Sequence, residues 1–149
     1  MQFSYYPGCT LKTRAREFEK SAFLAARALE IELVEQGEWQ CCGAVFPLAR
    51  DEIATYLSAV RSLDAAAKKG EKLVTLCAAC YHVIKRANYS IKHDQEIRQK
   101  VNNYLEIDYQ GTAEVIHYLE MLKDELGFVE LEKKVKNPLQ GKKIAPYYG

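Results

Sequence analysis

Short apolar segments with the character of β-strands alternate with segments of helical periodicity in the first half of the chain. We predict strands over Gln2–Tyr6, 31–34 and 72–76, and helices over 12–29 and 51–69. The order strand, helix, strand, helix, strand, helix implies a parallel sheet with right-handed crossovers. The pattern therefore predicts an α/β fold, in which a small parallel sheet carries flanking helices.

The second half of the chain is predicted to be mostly helical. Apolar residues at helical spacing indicate helices over 81–91, 95–106 and 113–126. The inward face of the last of these is predicted to carry apolar side chains at positions 115, 119, 122 and 126, and Gly127 follows as a stop signal. The charged stretch 127–143 predicts a linker with one short helix. We accordingly place a single domain at 1–126 and the linker at 127–143.

The last six residues echo the run that precedes the first cysteine. Ile-Ala-Pro-Tyr-Tyr-Gly at 144–149 resembles Phe-Ser-Tyr-Tyr-Pro-Gly at 3–8. A repeat that begins where the sequence stops predicts that 144–149 is the start of a truncated second repeat. Chance is the alternative, since the chain contains 10 tyrosines.

All five cysteines follow predicted strands. Cys9 follows the first strand, Cys41 and Cys42 follow the second, and Cys77 and Cys80 follow the third. Because loops after parallel strands emerge at the same carboxyl edge, these residues are predicted to converge at one site. The first residues show no secretory signal pattern, so we expect a cytoplasmic location, where thiols serve metals or redox chemistry more often than structural disulfides.

The spacing of the cysteines favours a metal or cluster site. A CxxC that opens a helix receives free backbone N–H groups, which lower thiol pKa values and bind sulfur. The side chains of the adjacent pair Cys41-Cys42 diverge, so this pair suits bridging between metals. Zinc takes four ligands and an ordinary cubane cluster takes four cysteines. With five thiols, either one cysteine is spare or catalytic, or the cluster has an unusual shape.

This pattern resembles the CCG (cysteine-rich) domain, which occurs twice in one of the subunits of heterodisulfide reductase and is also found in related oxidoreductases. The resemblance rests on Tyr6-Pro7-Gly8-Cys9, Cys41-Cys42-Gly43 and Cys77-Ala78-Ala79-Cys80, and it spans about residues 3–82. It implies a noncubane 4Fe–4S cluster held by all five cysteines. It also implies electron transfer to a disulfide of the coenzyme M–coenzyme B type, which is cleaved reductively when cluster iron contacts its sulfur.

The same resemblance implies partners. These are the iron–sulfur and flavin subunits of a heterodisulfide-reductase-like complex and the second CCG repeat of the same protein. Members of the family use two motifs and this sequence carries one, so the isolated chain is expected to be incomplete and inactive.

Two other interpretations of the cysteines remain open. A zinc-binding structural or docking module would use four of them and perform no redox chemistry. A thioredoxin-like dithiol enzyme would act through Cys77 and Cys80 alone, and would leave Cys9, Cys41 and Cys42 unexplained.

Other polar residues near the cysteines are candidates for a role at the site. His82 could donate to a cluster sulfur or move protons, although a solvent-facing or capping histidine is the more common outcome. His117 is predicted to be a structural residue on a helix. Lys12 and Arg14 are candidates for attracting an anionic substrate or countering cluster charge, although charged residues in a first helical turn are usually only solvated.

Charge and hydropathy exclude other classes of function. The chain has 21 basic and 20 acidic residues among 149, a formal charge of +1, so nothing suggests a nucleic-acid partner. No stretch of 18 apolar residues exists, so no direct membrane span is expected.

Overall fold

The computed structural model describes residues 1–44, 53–136 and 138–145 of the chain. In chain order the elements are β1 (Gln2–Tyr6), α1 (Cys9–Thr13), α2 (Arg16–Ala28), β2 (Glu32–Glu35), α3 (Ala54–Lys69), β3 (Leu73–Thr75), α4 (Ala78–His93), α5 (Gln95–Leu105), β4 (Val115–His117), α6 (Tyr118–Glu120), a π-helical turn (Met121–Leu126) that continues α6, and α7 (Phe128–Lys134).

The described strands form one parallel sheet in the order β2-β1-β3-β4. β1 pairs with both β2 and β3, with Phe3 opposite Leu33 and Tyr5 opposite Val74. The α/β fold with a parallel sheet and a helical C-terminal part is confirmed. The three strands expected from the sequence are present, and the first has the predicted bounds.

Helices cover both faces of this sheet. On one face, side chains of α3, α4 and α5 pack around Tyr6 and Leu73; on the other, side chains of α2 and α6 pack around Tyr5 and Val74. Leu73 and Val74 are both fully buried, because β3 lies inside the sheet and is covered on both sides.

The fourth strand corrects the prediction of one helix over 113–126. Val115–His117 is a strand that pairs with β3, and helical structure begins only at Tyr118. The β-branched pair Val115-Ile116 finds a partner strand, and this pairing overrides the helical spacing of the later leucines. The chain changes direction at His117, so Leu119 does not face inward as predicted and is 66% exposed.

The helix predicted over 12–29 is two helices. α1 ends at Thr13, where the N–H groups of Arg14 and Ala15 both donate to the Thr10 carbonyl at 2.9 Å. Ala15 has a non-helical backbone, and α2 restarts at Arg16. Because the helical register is not continuous across this break, Phe18 lies outside the apolar face predicted for it and is 56% exposed.

The other helices lie close to their predicted bounds. α3 ends at Gly70, which adopts φ +67° as a left-handed cap. The expected linker contains the short helix α7 within its described residues. The predicted helix start at positions 51 and 52, Asn137, and positions 146–149 of the predicted second repeat lie outside the described residues. Among the described helices, none combines the length and apolarity that crossing a bilayer requires.

Candidate functional site

The cysteines lie at the carboxyl edge of the sheet, on the loops and helix starts that follow β1, β2 and β3. Cys9 is the first residue of α1, and Cys77 caps the N-terminus of α4, whose first turn carries Cys80. Cys41 and Cys42 lie in the loop after β2. The parallel topology therefore brings together residues that are up to 71 positions apart in sequence.

The sulfur atoms are close to one another. The Sγ atoms of Cys9 and Cys41 are 3.5 Å apart, and those of Cys42 and Cys80 are 3.4 Å apart. All five thiols are free. These separations exceed the ~2.05 Å of a disulfide and approach the ~3.8 Å between two thiolates on one tetrahedral metal ion. Among residues 1–44, 53–136 and 138–145, no group of three or more His, Cys, Asp or Glu side chains meets the arrangement for holding a single metal ion.

The pKa values of three of the thiols are shifted in different directions. The hydrogen bond from Cys80, together with backbone N–H groups of Cys80 and Ala79 at the start of α4, lowers the pKa of Cys77 to about 5. Contact with Cys80 and with the backbone of Ala44 lowers the pKa of Cys42 to about 6. Cys80 touches both of these sulfurs and is buried, which raises its pKa. The site thus favours thiolates at Cys42 and Cys77, the form in which sulfur binds metals.

The thiol of Cys41 behaves differently. A backbone hydrogen bond from Gly43 lowers its pKa, but burial and the neighbouring Cys9 sulfur outweigh that effect, so its pKa is raised. A bound cation would remove this penalty, because it stabilises neighbouring thiolates that otherwise repel one another.

The backbone at Gly8 passes directly against the sulfurs. Gly8 has φ +74°, and a Cβ built on it would lie 2.8 Å from the Cys80 Sγ atom and 3.6 Å from the Tyr6 ring. Only glycine fits this close approach without displacing a neighbour. Five thiols at one edge of the sheet, one of them packed against a glycine that leaves room for it, have the donor chemistry of a thiolate-ligated metal group.

Aromatic rings cover one side of the sulfurs. Tyr6 is fully buried, donates its hydroxyl to the Gln40 carbonyl and packs edge-on against Trp39 with ring centroids 6.1 Å apart. Burial, followed by the neighbouring Cys80 and Cys42 sulfurs, raises the pKa of Tyr6. Tyr6 is therefore a neutral, apolar wall of the site.

Lys12 does not remain available to an anionic substrate. Its ammonium group lies 3.0 Å from a carboxylate oxygen of Glu19 and 2.5 Å from one of Glu35. Glu35 also accepts from the Trp39 indole at 3.3 Å. Arg14 is exposed at the end of α1. The lysine thus links α1, α2 and β2 instead of facing the sulfurs as a free charge.

His82 has the solvent-facing position that is the more common outcome for such a histidine, whereas His117 is not on a helix as predicted. His82 is exposed on α4, and its side chain makes no hydrogen bond or ion pair to any described residue. His117 lies at the end of β4, and its Nε2 atom is 3.1 Å from the Leu76 carbonyl, the residue before Cys77. This proximity was not predicted, because the sequence pattern placed His117 within a helix. The β-branched pair before His117 was the signal for a strand that would have carried it to this edge.

A cavity of about 240 Å³ is lined in part by Cys42. Its described lining includes Gly43, Tyr56 of α3, and Val83 and Arg86 of α4. Cys42 is 7% exposed and Cys80 4%. The cavity therefore gives a small molecule a route toward Cys42.

Comparison with known proteins places these observations in a family. The family model described as "Cysteine-rich domain" (CCG) matches residues 3–85. The 8-methylmenaquinol:fumarate reductase membrane anchor subunit of Wolinella succinogenes is 34% identical over 99% of this chain and 52% of that protein. Two relatives are named as subunits of CoB-CoM heterodisulfide reductases: that of Methanosarcina acetivorans is 32% identical and that of Methanosarcina mazei 29%, each over 99% of this chain and 50% of that protein. The chain thus spans about half the length of the curated relatives it matches.

Proposed function

The chain belongs to the cysteine-rich (CCG) domain family, and from that premise we propose that Cys9, Cys41, Cys42, Cys77 and Cys80 together hold an iron–sulfur cluster that transfers electrons. The observation that carries the proposal is the meeting of five free thiols at one edge of the sheet. Five thiolates exceed the four that a structural zinc ion or an ordinary cubane takes. We propose a noncubane 4Fe–4S cluster, which all five cysteines would hold.

The proposed reaction is the reduction of a disulfide of the coenzyme M–coenzyme B type. One disulfide takes up two electrons and two protons, the S–S bond breaks, and two thiols leave. The cluster would supply these electrons, and iron–sulfur and flavin subunits of the same complex would deliver them to this site. The names of the two Methanosarcina relatives support this substrate.

The chain's own residues prepare the site for that role. The cavity lined by Cys42 gives the disulfide its approach, and the fully buried Tyr6 ring, which packs against Trp39, is an aromatic neighbour of the sulfurs. The low pKa values of Cys42 and Cys77 supply thiolate ligands at neutral pH. Since the relatives are about twice as long, we expect turnover to need a second cysteine-rich repeat as well as the partner subunits.

A second candidate substrate comes from the Wolinella relative, whose name includes 8-methylmenaquinol. In that case the cluster would exchange electrons with a quinol, and the same five cysteines would serve it. That relative is also named as a membrane anchor subunit. The cytoplasmic location expected from the sequence therefore stays a prediction.

Anaerobic reconstitution tests the cluster proposal. The reduced chain is incubated with ferrous iron and sulfide, desalted, and analysed for iron, sulfide and visible absorption, with Cys42→Ala as the control. We expect about four iron atoms per chain with equivalent sulfide, and loss of both in the control. A colourless protein that refuses iron and binds one zinc ion tightly would replace the redox proposal with the structural-module alternative.

A further inference from the structure

Residues outside the family-matched segment hold both ends of the Cys77–Cys80 segment. They lie in the corner between β4 and α6, at residues 117–120, whereas the family match ends at residue 85. β4 places this corner at the carboxyl edge of the sheet, because His117 lies opposite Thr75 of β3. The corner therefore faces the segment that contains Cys77, between β3 and α4.

His117 holds the residue that precedes Cys77. Its Nε2 atom lies 3.1 Å from the Leu76 carbonyl, which can only accept, so Nε2 carries the proton. Its Nδ1 atom accepts from the Leu119 backbone N–H at 3.3 Å. Both ring nitrogens are therefore engaged, Nε2 as a donor to the Leu76 carbonyl and Nδ1 as an acceptor from the Leu119 N–H.

Glu120 holds the residue that follows Cys80. One carboxylate oxygen accepts from the backbone N–H of His117 at 2.8 Å, and the other accepts from the Tyr81 hydroxyl at 2.9 Å. The Tyr81 ring also packs edge-on against the His117 ring, with centroids 5.8 Å apart. The ammonium group of Lys85 lies over the Tyr81 ring, 4.6 Å from the centre of the ring.

We propose that His117 and Glu120 form a clasp that positions the Cys77-Ala78-Ala79-Cys80 segment for metal binding, His117 through Leu76 and Glu120 through Tyr81. This inference rests on the proposed function, since it assumes that Cys77 and Cys80 are ligands. His117 and Glu120 are positioning residues, because neither binds the metal group in this proposal. With the clasp in place, the whole first turn of α4 is preorganised, and not only the cysteines that it carries.

In this proposal, the clasp fixes the places of the Cys77 and Cys80 thiols. The Cys77 sulfur lies under the N–H groups of Ala79 and Cys80, and the Tyr81 N–H donates to the Cys77 carbonyl at 2.9 Å. A helix start frays readily when nothing holds its first turn. Tethers on the residues immediately before and after the CxxC suppress that fraying.

Hydrogen exchange in the reduced, metal-free full chain tests the clasp without iron. His117→Phe keeps a ring but removes both hydrogen bonds, and His117→Gln keeps a donor near the Nε2 position. We expect amide exchange in a peptide covering 76–81 to accelerate about tenfold in His117→Phe, and to stay within about threefold of the parent in His117→Gln. Tyr81→Phe, which removes a single hydroxyl, is expected to give a smaller acceleration and serves if His117→Phe does not fold.

The matched control is His93→Phe, the same substitution at an exposed histidine at the end of α4. It should leave exchange in 76–81 unchanged, and α5 should exchange at the parental rate in every variant. If the amides of 76–81 exchange at the parental rate in both His117→Phe and Tyr81→Phe, the proposed clasp is wrong.

Reconstitution with ferrous iron and sulfide supplies a readout that a purely structural role would not move. At equal iron content, His117→Phe should release iron to a chelator about tenfold faster than the parent and show a shifted electron paramagnetic resonance spectrum, with His117→Gln restoring both. A release rate and spectrum equal to those of His93→Phe contradict a positioning role. If the parent binds no iron, the proposed function fails, whereas the exchange experiment still decides whether the clasp exists.

Discussion

Replacing Gly8 by alanine tests whether the backbone around the sulfurs is shaped for them. Gly8 has φ +74° and ψ 160°, a conformation that is almost confined to glycine. An added Cβ would also lie 2.8 Å from the sulfur of Cys80, a residue in the first turn of α4 that is 4% exposed. The substitution therefore combines backbone strain with a steric clash at the site.

A second glycine separates the two effects. Gly127 has nearly the same backbone conformation, φ +83° and ψ 148°, but a Cβ there would meet nothing within 4 Å. Backbone strain of this kind costs about 1–3 kcal/mol in either variant. Overpacking adds a further ~1–3 kcal/mol in Gly8→Ala alone. The difference between the two variants is thus the energy of the contact with the sulfur.

Urea unfolding of the reduced, metal-free proteins under anaerobic conditions measures that difference. With a denaturant slope of about 1–3 kcal/mol per molar urea, a contact energy of ~2 kcal/mol separates the two midpoints by about 1 M. Iron content after reconstitution is the second readout, and it should fall in Gly8→Ala but not in Gly127→Ala. Equal midpoints together with equal iron loading would show that the tight approach of Gly8 has no energetic role.

Three further predictions follow from single contacts in the structure. Tyr6→Phe removes the hydroxyl that donates to the Gln40 carbonyl and should destabilise the fold by about 1 kcal/mol in urea unfolding, without loss of iron binding. Leu119→Ser changes a side chain that is 66% exposed and should shift the free energy of unfolding by less than ~0.5 kcal/mol. Leu63→Ala, at a fully buried position, should lower it by about 2–5 kcal/mol. Similar losses in the two variants would favour the predicted helix, in which Leu119 faces inward. In the metal-free protein at pH 6, iodoacetamide should modify Cys77 before Cys80, because the pKa of Cys77, about 5, leaves Cys77 mostly as thiolate. The rate of modification at Cys77 should fall only as the pH drops through about 5. Peptide mass spectrometry measures the order, and a reversed order would contradict the prediction.

The convergence of the cysteines was predictable because it depends on topology and not on detail. Apolar runs at β1, β2 and β3 and helical spacing between them imply parallel strands, and parallel strands send their following loops to one edge. Errors of one or two residues in strand bounds do not change which edge that is. The assignment of all five cysteines as ligands stays a prediction that reconstitution tests.

β4 and the placement of His117 depend on contacts distant in sequence, which a local sequence pattern does not contain. β4 has three residues and exists because β3 offers it a partner, so local periodicity alone did not reveal it. Because that strand was not predicted, the placement of His117 beside Leu76 was not predicted either. The break between α1 and α2 is local, at the two N–H groups that donate to the Thr10 carbonyl, but it lies within an uninterrupted helical pattern and carries no proline or glycine to mark it.

The position of β4 bears on how much of the chain forms one folding unit. β3 pairs with β1 on one side and β4 on the other, and the Leu73 N–H donates to the Glu114 carbonyl at 2.8 Å. A fragment that ended with the family match at residue 85 would leave β3 as an exposed edge of apolar residues. It would also lose the hydrogen bond from His117 to the Leu76 carbonyl. We therefore expect a unit that runs to about residue 126, the boundary predicted from sequence, because it pairs β3 on both sides and keeps the clasp beside the cysteines.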